Sequence, residues 1–195
     1  MITRRALLKD IGVSALALGA AGGLAQRAWA EEPILTEDGL YRQPWFLESF
    51  LELADDLETS ASSGKRFAVM WELKGCPYCK ETHFVNFADP AINDYVRSNF
   101  DILQLNIIGS RRVLDFDGEE LAEKDLAQKY GVRFTPSFQF FPESAEGLAD
   151  LAPREREVAR LQGYMKPEHF LAMFKYVEAG AYDDMSFREY LRQQV

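Results

Sequence analysis

The stretch "WELKGCPYCKETH", residues 71–83, contains both cysteines of this 195-residue chain. Cys76 and Cys79 lie three positions apart, directly after the apolar, β-prone run at residues 66–73. Such a run predicts a buried strand. Pro77 suits the first turn of a helix, where its missing N–H group costs nothing. The two cysteines are therefore predicted to lie where a strand passes into a helix.

Several kinds of site can be built on a cysteine pair with this spacing. Haem attachment requires a histidine directly after the second cysteine, and Lys80 stands there. A structural zinc site needs four ligands, and the chain offers two cysteines and two histidines in total. A four-residue disulfide ring stabilises a fold by only about 2 kcal/mol in the chain-entropy account. We therefore favour a redox dithiol and expect no metal.

A cysteine at a helix N-terminus faces unpaired N–H groups and the positive end of the helix dipole. Both stabilise the thiolate, which is the nucleophilic form. Cys76 is expected to be the exposed attacking residue. Cys79, one turn later and facing inward, is expected to resolve the mixed disulfide. The predicted centre needs no cofactor besides its own disulfide.

The N-terminal thirty residues differ from the rest of the chain. Arg4 and Arg5 precede a Gly/Ala-rich apolar run that ends in "AWA" at Ala30, the pattern of a cleavable export signal. The run is shorter than the about 20 apolar residues that span a membrane, and "TRRALLK" resembles the twin-arginine signal. We predict that residues 1–30 are removed near Ala30, with an uncleaved amphipathic anchor as the alternative. Residues 31–195 would then form one domain in the bacterial periplasm.

The composition fits a single acidic domain. Hydrophobic residues make up 47% of the chain, and the formal net charge is −9. This hydrophobic content is enough for one core. Nucleic acid is not an expected partner, because binding to phosphates needs clustered Lys and Arg. We expect a monomer.

An amphipathic helix is predicted within residues 44–61, because Phe46, Phe50, Leu53 and Leu57 recur at helical spacing. The rest of the chain reads as strand, helix, helix and strand, followed by a small hairpin marked by an Asp-Gly turn. A helix, two strands, a helix and a short terminal helix complete it. This order predicts an α/β fold with a mixed sheet and helices on both faces.

Three segments resemble proteins of the thioredoxin fold: "FAVMWELKGCPYCK" at residues 67–80, "FTPSFQFF" at residues 134–141, and "LQGYMKPEHFLAMF" at residues 161–174. The resemblance covers roughly residues 45–180. It implies a central mixed sheet, an N-terminal helix and a C-terminal helical extension.

The resemblance also implies a substrate groove beside the cysteines. The Thr135–Pro136 bond corresponds to the cis-proline of that family, and the backbone of Thr135 would pair with a bound substrate strand. Gly163 corresponds to a glycine that lines the groove. The complete predicted groove consists of Gly75, Pro77, Tyr78, Thr135, Pro136 and Gly163.

Within the superfamily, the sequence is most similar to periplasmic thioredoxins of bacterial sulfur-oxidation systems, the SoxW type. That likeness implies a reductant of periplasmic protein disulfides, recharged by a membrane thiol–disulfide electron carrier. Two alternatives stay open. The Pro-Tyr dipeptide between the cysteines also resembles glutaredoxins and one class of periplasmic isomerases, so a disulfide oxidase or isomerase is possible. The other is a non-catalytic binding or chaperone module.

Two positions depart from the thioredoxin pattern. Met70 stands where thioredoxins carry a buried acid, so Glu72 is the nearest carboxylate to the motif. Glu72 is either buried behind Cys79, where it would accept that thiol's proton, or partly exposed at the rim of the site. Gly75 replaces a tryptophan and should open the surface beside Cys76.

Three other side chains of the stretch around the cysteines are candidates for a role. Tyr78 is expected to contact substrate, and His83 is expected to be a solvated helix residue, with a role in tuning thiol exchange as the alternative. Trp71 is expected to lie in the core. The other predicted core aromatics are Phe138, Phe140, Phe141, Phe170 and Phe174.

Overall fold

The computed structural model describes residues 31–193, so the predicted signal at residues 1–30 lies outside the described residues. The strands of the described chain are, in order, β1 Ile34–Leu35, β2 Tyr41–Arg42, β3 Arg66–Glu72, β4 Phe100–Asn106, β5 Arg112–Leu114, β6 Glu120–Ala122, β7 Ser137–Phe140 and β8 Ala159–Gln162. The α-helices are α1 Leu53–Ser62, α2 Pro77–Glu81, α3 Pro90–Asn99, α4 Glu123–Lys129, α5 Pro167–Glu178 and α6 Phe187–Gln193. A π-helix, Thr82–Asn86, continues α2.

The central sheet has the strand order β4-β3-β7-β8. Strands β3 and β4 run parallel, whereas β7 pairs antiparallel with both β3 and β8. All seven residues of β3 are buried, as expected for an inner strand with covered faces. Two small antiparallel hairpins, β1-β2 and β5-β6, lie outside this sheet.

The sheet separates two hydrophobic clusters because successive side chains of a strand point to opposite faces. Along β3, Ala68 and Met70 join one cluster, whereas Phe67, Val69 and Trp71 join the other. The predicted core aromatics are all buried, including Trp71. A mixed sheet covered on both faces confirms the thioredoxin fold that the sequence predicted.

The N-terminal helix begins later than predicted. Helix α1 starts at Leu53, so Phe46 precedes it and Phe50 is 97% exposed instead of lying on its apolar face. Leu51 has a φ of +67°, which a helix does not allow. Its carbonyl accepts a hydrogen bond from Leu114 N at 2.8 Å. Pairing with the β5 strand therefore keeps this segment out of the helix, which begins only at Leu53.

The other predicted elements are present. The hairpin of β5 and β6 occupies the segment marked by the Asp-Gly turn. Helix α5 begins at Pro167 and is followed by Gly180 with a φ of +64°, a common way for a helix to end. Within residues 31–193, none of the helices has both the length and the apolar character to cross a membrane.

Ion pairs to one buried and one partly exposed carboxylate join the hairpin to the loop that contains Arg156. Arg156 Nη1 lies 2.9 Å from Asp115 Oδ2, and its Nη2 lies 2.9 Å from Asp117 Oδ2. Lys129 Nζ contacts the same two carboxylates at 2.6 Å. The charged segment that contains Arg156 is therefore anchored by a buried guanidinium.

Candidate redox site

The two cysteines form a disulfide whose Cα atoms are 5.3 Å apart. Cys76 is the N-cap of α2 and Pro77 is its first residue, as the sequence predicted. Cys79 is only 3% exposed, and Cys76 is more accessible. The Cys79 N–H donates a hydrogen bond to Cys76 Sγ at 3.1 Å. After reduction, this bond would stabilise a thiolate on Cys76.

The loop before β7 lies against the sulfur of Cys76. The Thr135–Pro136 peptide bond is cis, and the Thr135 carbonyl oxygen lies 3.5 Å from Cys76 Sγ. Gly163 N–H donates to the Pro136 carbonyl at 2.7 Å. Gly163 has a φ of +79°, which favours glycine. The structure thus brings together the predicted groove residues from three separate segments.

Aromatic side chains border the site. Tyr78 is 56% exposed and stacks on Tyr164, with ring centroids 6.2 Å apart. Partial burial and the neighbouring Glu81 carboxylate raise the pKa of Tyr164, so its hydroxyl stays protonated. Gly75 has a φ of +78°, and a Cβ there would meet nothing within 4 Å. The surface before Cys76 is open, as expected from the missing tryptophan.

Glu72 is buried, with 1% of its surface exposed, and is not a rim residue. Its Oε1 lies 3.0 Å from His83 Nε2, and its Oε2 accepts a hydrogen bond from Gln104 Nε2. Glu72, Cys76 and Cys79 line one cavity of about 290 Å³. Glu72 therefore forms part of the wall of a cavity that both cysteines also line.

The expectation that His83 is solvated was wrong, because the side chain is 0% exposed. His83 follows Cys79 by four residues and therefore shares its inward face on the helix. It lies in the π-helix that continues α2, and π-turns are frequent at functional sites. Its ring is surrounded by those of Tyr41, Phe46 and Phe87, with centroids 5.8–6.5 Å away.

The sequence model of a family described as "Thioredoxin-like domain" matches residues 53–178, which contain both cysteines, Pro136 and Gly163. The chain belongs to the thioredoxin-like domain family. A search of curated protein sequences found no match.

Two solved structures are similar to this thioredoxin-like protein, and the first of them supports its fold. A thioredoxin-fold protein from Helicobacter pylori has 23% identity and a TM-score of 0.51, covering 68% of this chain and 80% of that chain. A thioredoxin from Thermus thermophilus has 22% identity and a TM-score of 0.47, covering 63% of this chain and 81% of that chain. Neither likeness distinguishes a SoxW-type subfamily.

Sequence reasoning missed two site residues of this thioredoxin-like protein. Gln43, from the segment after β2, contacts His83, and Gln104, from β4, contacts Glu72. No local motif marks either glutamine, because both act through residues distant in sequence. His83 did carry a signal, namely its four-residue spacing from the inward-facing Cys79.

The cations near the motif occupy defined positions. Lys80 Nζ lies 5.9 Å from the ring centroid of Tyr41 and 5.7 Å from that of Phe84. A Cβ on Gly39 would contact the Lys74 side chain. Lys80 also lines the cavity beside the disulfide.

Over residues 31–193, no cluster of three or more His, Cys, Asp or Glu side chains is arranged to hold a metal ion.

A larger cavity of about 460 Å³ lies beside β4, and neither cysteine lines it. Its lining includes Asp38, Arg111 and Glu123. The Glu123 carboxylate already accepts a hydrogen bond from Asn106 N at 2.9 Å and pairs with Arg111 at 2.6 Å. Because Glu123 and Arg111 are already paired with each other, we assign the candidate redox site to the smaller cavity, which the cysteines line.

Proposed function

We propose that this protein is a thiol–disulfide oxidoreductase that reduces protein disulfides through Cys76 and Cys79. One observation carries the proposal. The accessible sulfur of Cys76 lies at the start of α2 and 3.5 Å from the Thr135 carbonyl, with the buried Cys79 one turn behind it. An exposed nucleophile, a backbone edge and a buried second thiol are the parts that this reaction needs.

The reaction proceeds in two exchanges. The Cys76 thiolate attacks a substrate disulfide, while the backbone of Thr135 pairs with the substrate strand. Cys79 then attacks Cys76 Sγ, which releases the reduced substrate and leaves the protein oxidised. A separate electron donor reduces the Cys76–Cys79 disulfide again, so the kinetics are of the ping-pong type.

The proposed setting is the bacterial periplasm, where the chain would act as a monomer without a cofactor other than its own disulfide. Support comes from the sequence at residues 1–30, which has the pattern of an export signal ending near Ala30. The proposed electron donor is a membrane thiol–disulfide carrier. The proposed substrates are disulfides of periplasmic proteins, in the manner of SoxW-type thioredoxins of sulfur oxidation.

The trapping of a mixed disulfide tests the assignment of roles. Cys79→Ser should accumulate a covalent complex with its natural partner in periplasmic extract, because the resolving thiol is gone. Cys76→Ser and the double variant serve as matched controls and should trap nothing. Retention of full activity by Cys76→Ser would instead favour a non-catalytic binding or chaperone module.

The reduction potential separates a reductant from a disulfide oxidase or isomerase. The disulfide oxidase or isomerase is worth testing because the Pro-Tyr dipeptide at residues 77–78 also resembles that of glutaredoxins and one class of periplasmic isomerases. A potential at or below about −220 mV supports the reductant, whereas a value near −120 mV identifies an oxidant. Equilibration of the protein with glutathione buffers of known ratio gives this value.

A further inference from the structure

A buried chain of polar side chains lies behind the cysteine pair. Gln43 Nε2 is 3.2 Å from His83 Nδ1, and His83 Nε2 is 3.0 Å from Glu72 Oε1. Gln104 completes the chain at Glu72 Oε2. The four residues come from the segment after β2, the π-helix, β3 and β4. Buried polar groups require such partners, and here every link converges on one carboxylate.

The contacts determine which atoms donate. Gln43 Nε2 also lies 3.3 Å from the His83 carbonyl oxygen, and a carbonyl only accepts. The amide nitrogen therefore faces His83, and Nδ1 is an acceptor. The ring proton must then be on Nε2, which donates to Glu72. Gln104 Nε2 likewise lies 2.5 Å from the Tyr41 carbonyl, so it also donates to Glu72.

This pattern describes a neutral imidazole and a charged carboxylate. Both oxygens of Glu72 accept hydrogen bonds, and an ionised carboxylate is stabilised by such donors. The other ionisable groups nearby are Lys80 and Tyr41, which line the same cavity, and Arg111, whose Nη2 bonds the Gln104 carbonyl at 2.9 Å. Neither Lys80 nor Arg111 forms an ion pair with Glu72 among the described contacts. The hydrogen bonds that stabilise the negative charge of Glu72 therefore come from the neutral side chains of His83 and Gln104.

The cavity connects this carboxylate to the resolving thiol. Glu72 and Cys79 both line its wall, and its volume of about 290 Å³ exceeds the about 30 Å³ that one water molecule occupies in the liquid. The cavity is thus large enough to hold water between the two residues, and transfer through one water is an arrangement that general bases use.

We propose that His83 is a positioning residue that holds Glu72 as a carboxylate, ready to accept the proton of Cys79 when the mixed disulfide is resolved. This inference rests on the proposed function and adds to it His83, the residue that positions the proton acceptor Glu72. Gln43 acts one step further away, by fixing which nitrogen of His83 carries hydrogen.

In the mixed disulfide, the Cys79 thiol loses its proton through cavity water to Glu72, and the resulting thiolate attacks Cys76 Sγ. The Cys76–Cys79 bond forms as the bond from Cys76 to the substrate sulfur breaks. The substrate sulfur leaves as a thiolate with the electron pair. The dithiol is oxidised by two electrons, the substrate disulfide is reduced by two, and Glu72 later returns the proton to solvent.

A stopped-flow reaction of the reduced protein with an aromatic disulfide that releases a coloured thiolate tests this inference. The first equivalent of colour reports attack by Cys76, and the second reports resolution by Cys79. Glu72→Gln should slow only the second phase, by about 100-fold. His83→Leu should slow the same phase about tenfold, because a hydrogen bond to the Glu72 carboxylate is lost.

Further variants distinguish positioning from general damage. His83→Gln keeps a donor for Glu72 and should stay within about threefold of the wild type, and Gln43→Met should slow the second phase about threefold. Glu72→Gln combined with His83→Leu should be no slower than Glu72→Gln alone, because both act on one step. The matched control is His169→Gln, which changes the other histidine, an exposed residue, and should leave both phases unchanged.

The outcomes separate this inference from the proposed function. Absence of the second phase in the wild type would contradict the dithiol function itself. A normal wild type with an unchanged second phase in His83→Leu, or with both phases slowed equally, would overturn the positioning role alone. If His83→Leu does not fold, Glu72→Gln and Gln43→Met provide the test. A second phase as fast as that of the wild type in either variant would also overturn the inference.

Discussion

His83 Nε2 lies 3.0 Å from Glu72 Oε1, and the two side chains are 0% and 1% exposed. This pair joins the end of β3 to the π-helix, the elements that flank the cysteine motif on either side. A buried hydrogen bond thus joins the segments that precede and follow the disulfide. Because an unpaired buried polar group is costly, each partner requires the other.

Replacement of Tyr78 by Ala should weaken the binding of protein substrates. Its ring is 56% exposed and stacks on Tyr164, and exposed tyrosines often contribute strongly to interfaces. We expect the KM for a protein disulfide to rise about fivefold, which corresponds to about 1 kcal/mol. Turnover of a small disulfide should not change. Steady-state kinetics with both substrates, and Phe50→Ala as the control, measure the effect. An equal loss with both substrates would argue against a contact role.

The paired variants Phe46→Ala and Phe50→Ala test where the N-terminal helix begins. Phe46 is 3% exposed and belongs to the core, whereas Phe50 is 97% exposed. The first variant should lower the free energy of unfolding by about 3–5 kcal/mol. The second should change it by less than about 0.5 kcal/mol. Urea unfolding at neutral pH provides both values. A large loss in Phe50→Ala would show that its ring is buried.

Arg156→Met should destabilise the fold by about 3 kcal/mol, because it removes a buried guanidinium that pairs with the buried Asp115 carboxylate. The guanidinium bonds Asp115 and Asp117 at 2.9 Å, and Lys129 compensates only in part. The exposed Arg154 is the matched control, and Arg154→Met should have little effect. Denaturant unfolding of both variants makes the comparison. Similar stabilities for the two would mean that the Arg156 ion pairs contribute nothing net.

Asp117 should give the protein part of its acid sensitivity. Burial alone would raise the pKa of this carboxyl, but hydrogen bonds from Lys129 and Arg156 outweigh it and lower the pKa below the ordinary 3.8. The stabilisation is therefore complete above pH 3.8 and is lost as the pH falls toward the lowered pKa. Asp117→Asn should be less stable at neutral pH and should lose less stability on acidification. Unfolding free energies at pH 7 and at about pH 3 test this. Identical pH dependence in both proteins would contradict it.

The sequence predicted the fold because its signals are local. The apolar run before Cys76, Pro77 after it, and Pro167 with Gly180 around α5 mark strands and helix ends within a few residues. The start of α1 was mispredicted for the same reason. Helical periodicity extends back to Phe46, and only pairing of Leu51 with Leu114 overrides it.

The sequence by itself determined the cysteine pair, its place between strand and helix, and Thr135 and Pro136 downstream. Only the tertiary structure decided that Glu72 and His83 are buried and paired. Their partners lie far away in sequence: Gln43 is 40 residues from His83, and Gln104 is 32 residues from Glu72. Burial and hydrogen bonding of a side chain depend on what folds against it, and spacing along the chain does not encode that.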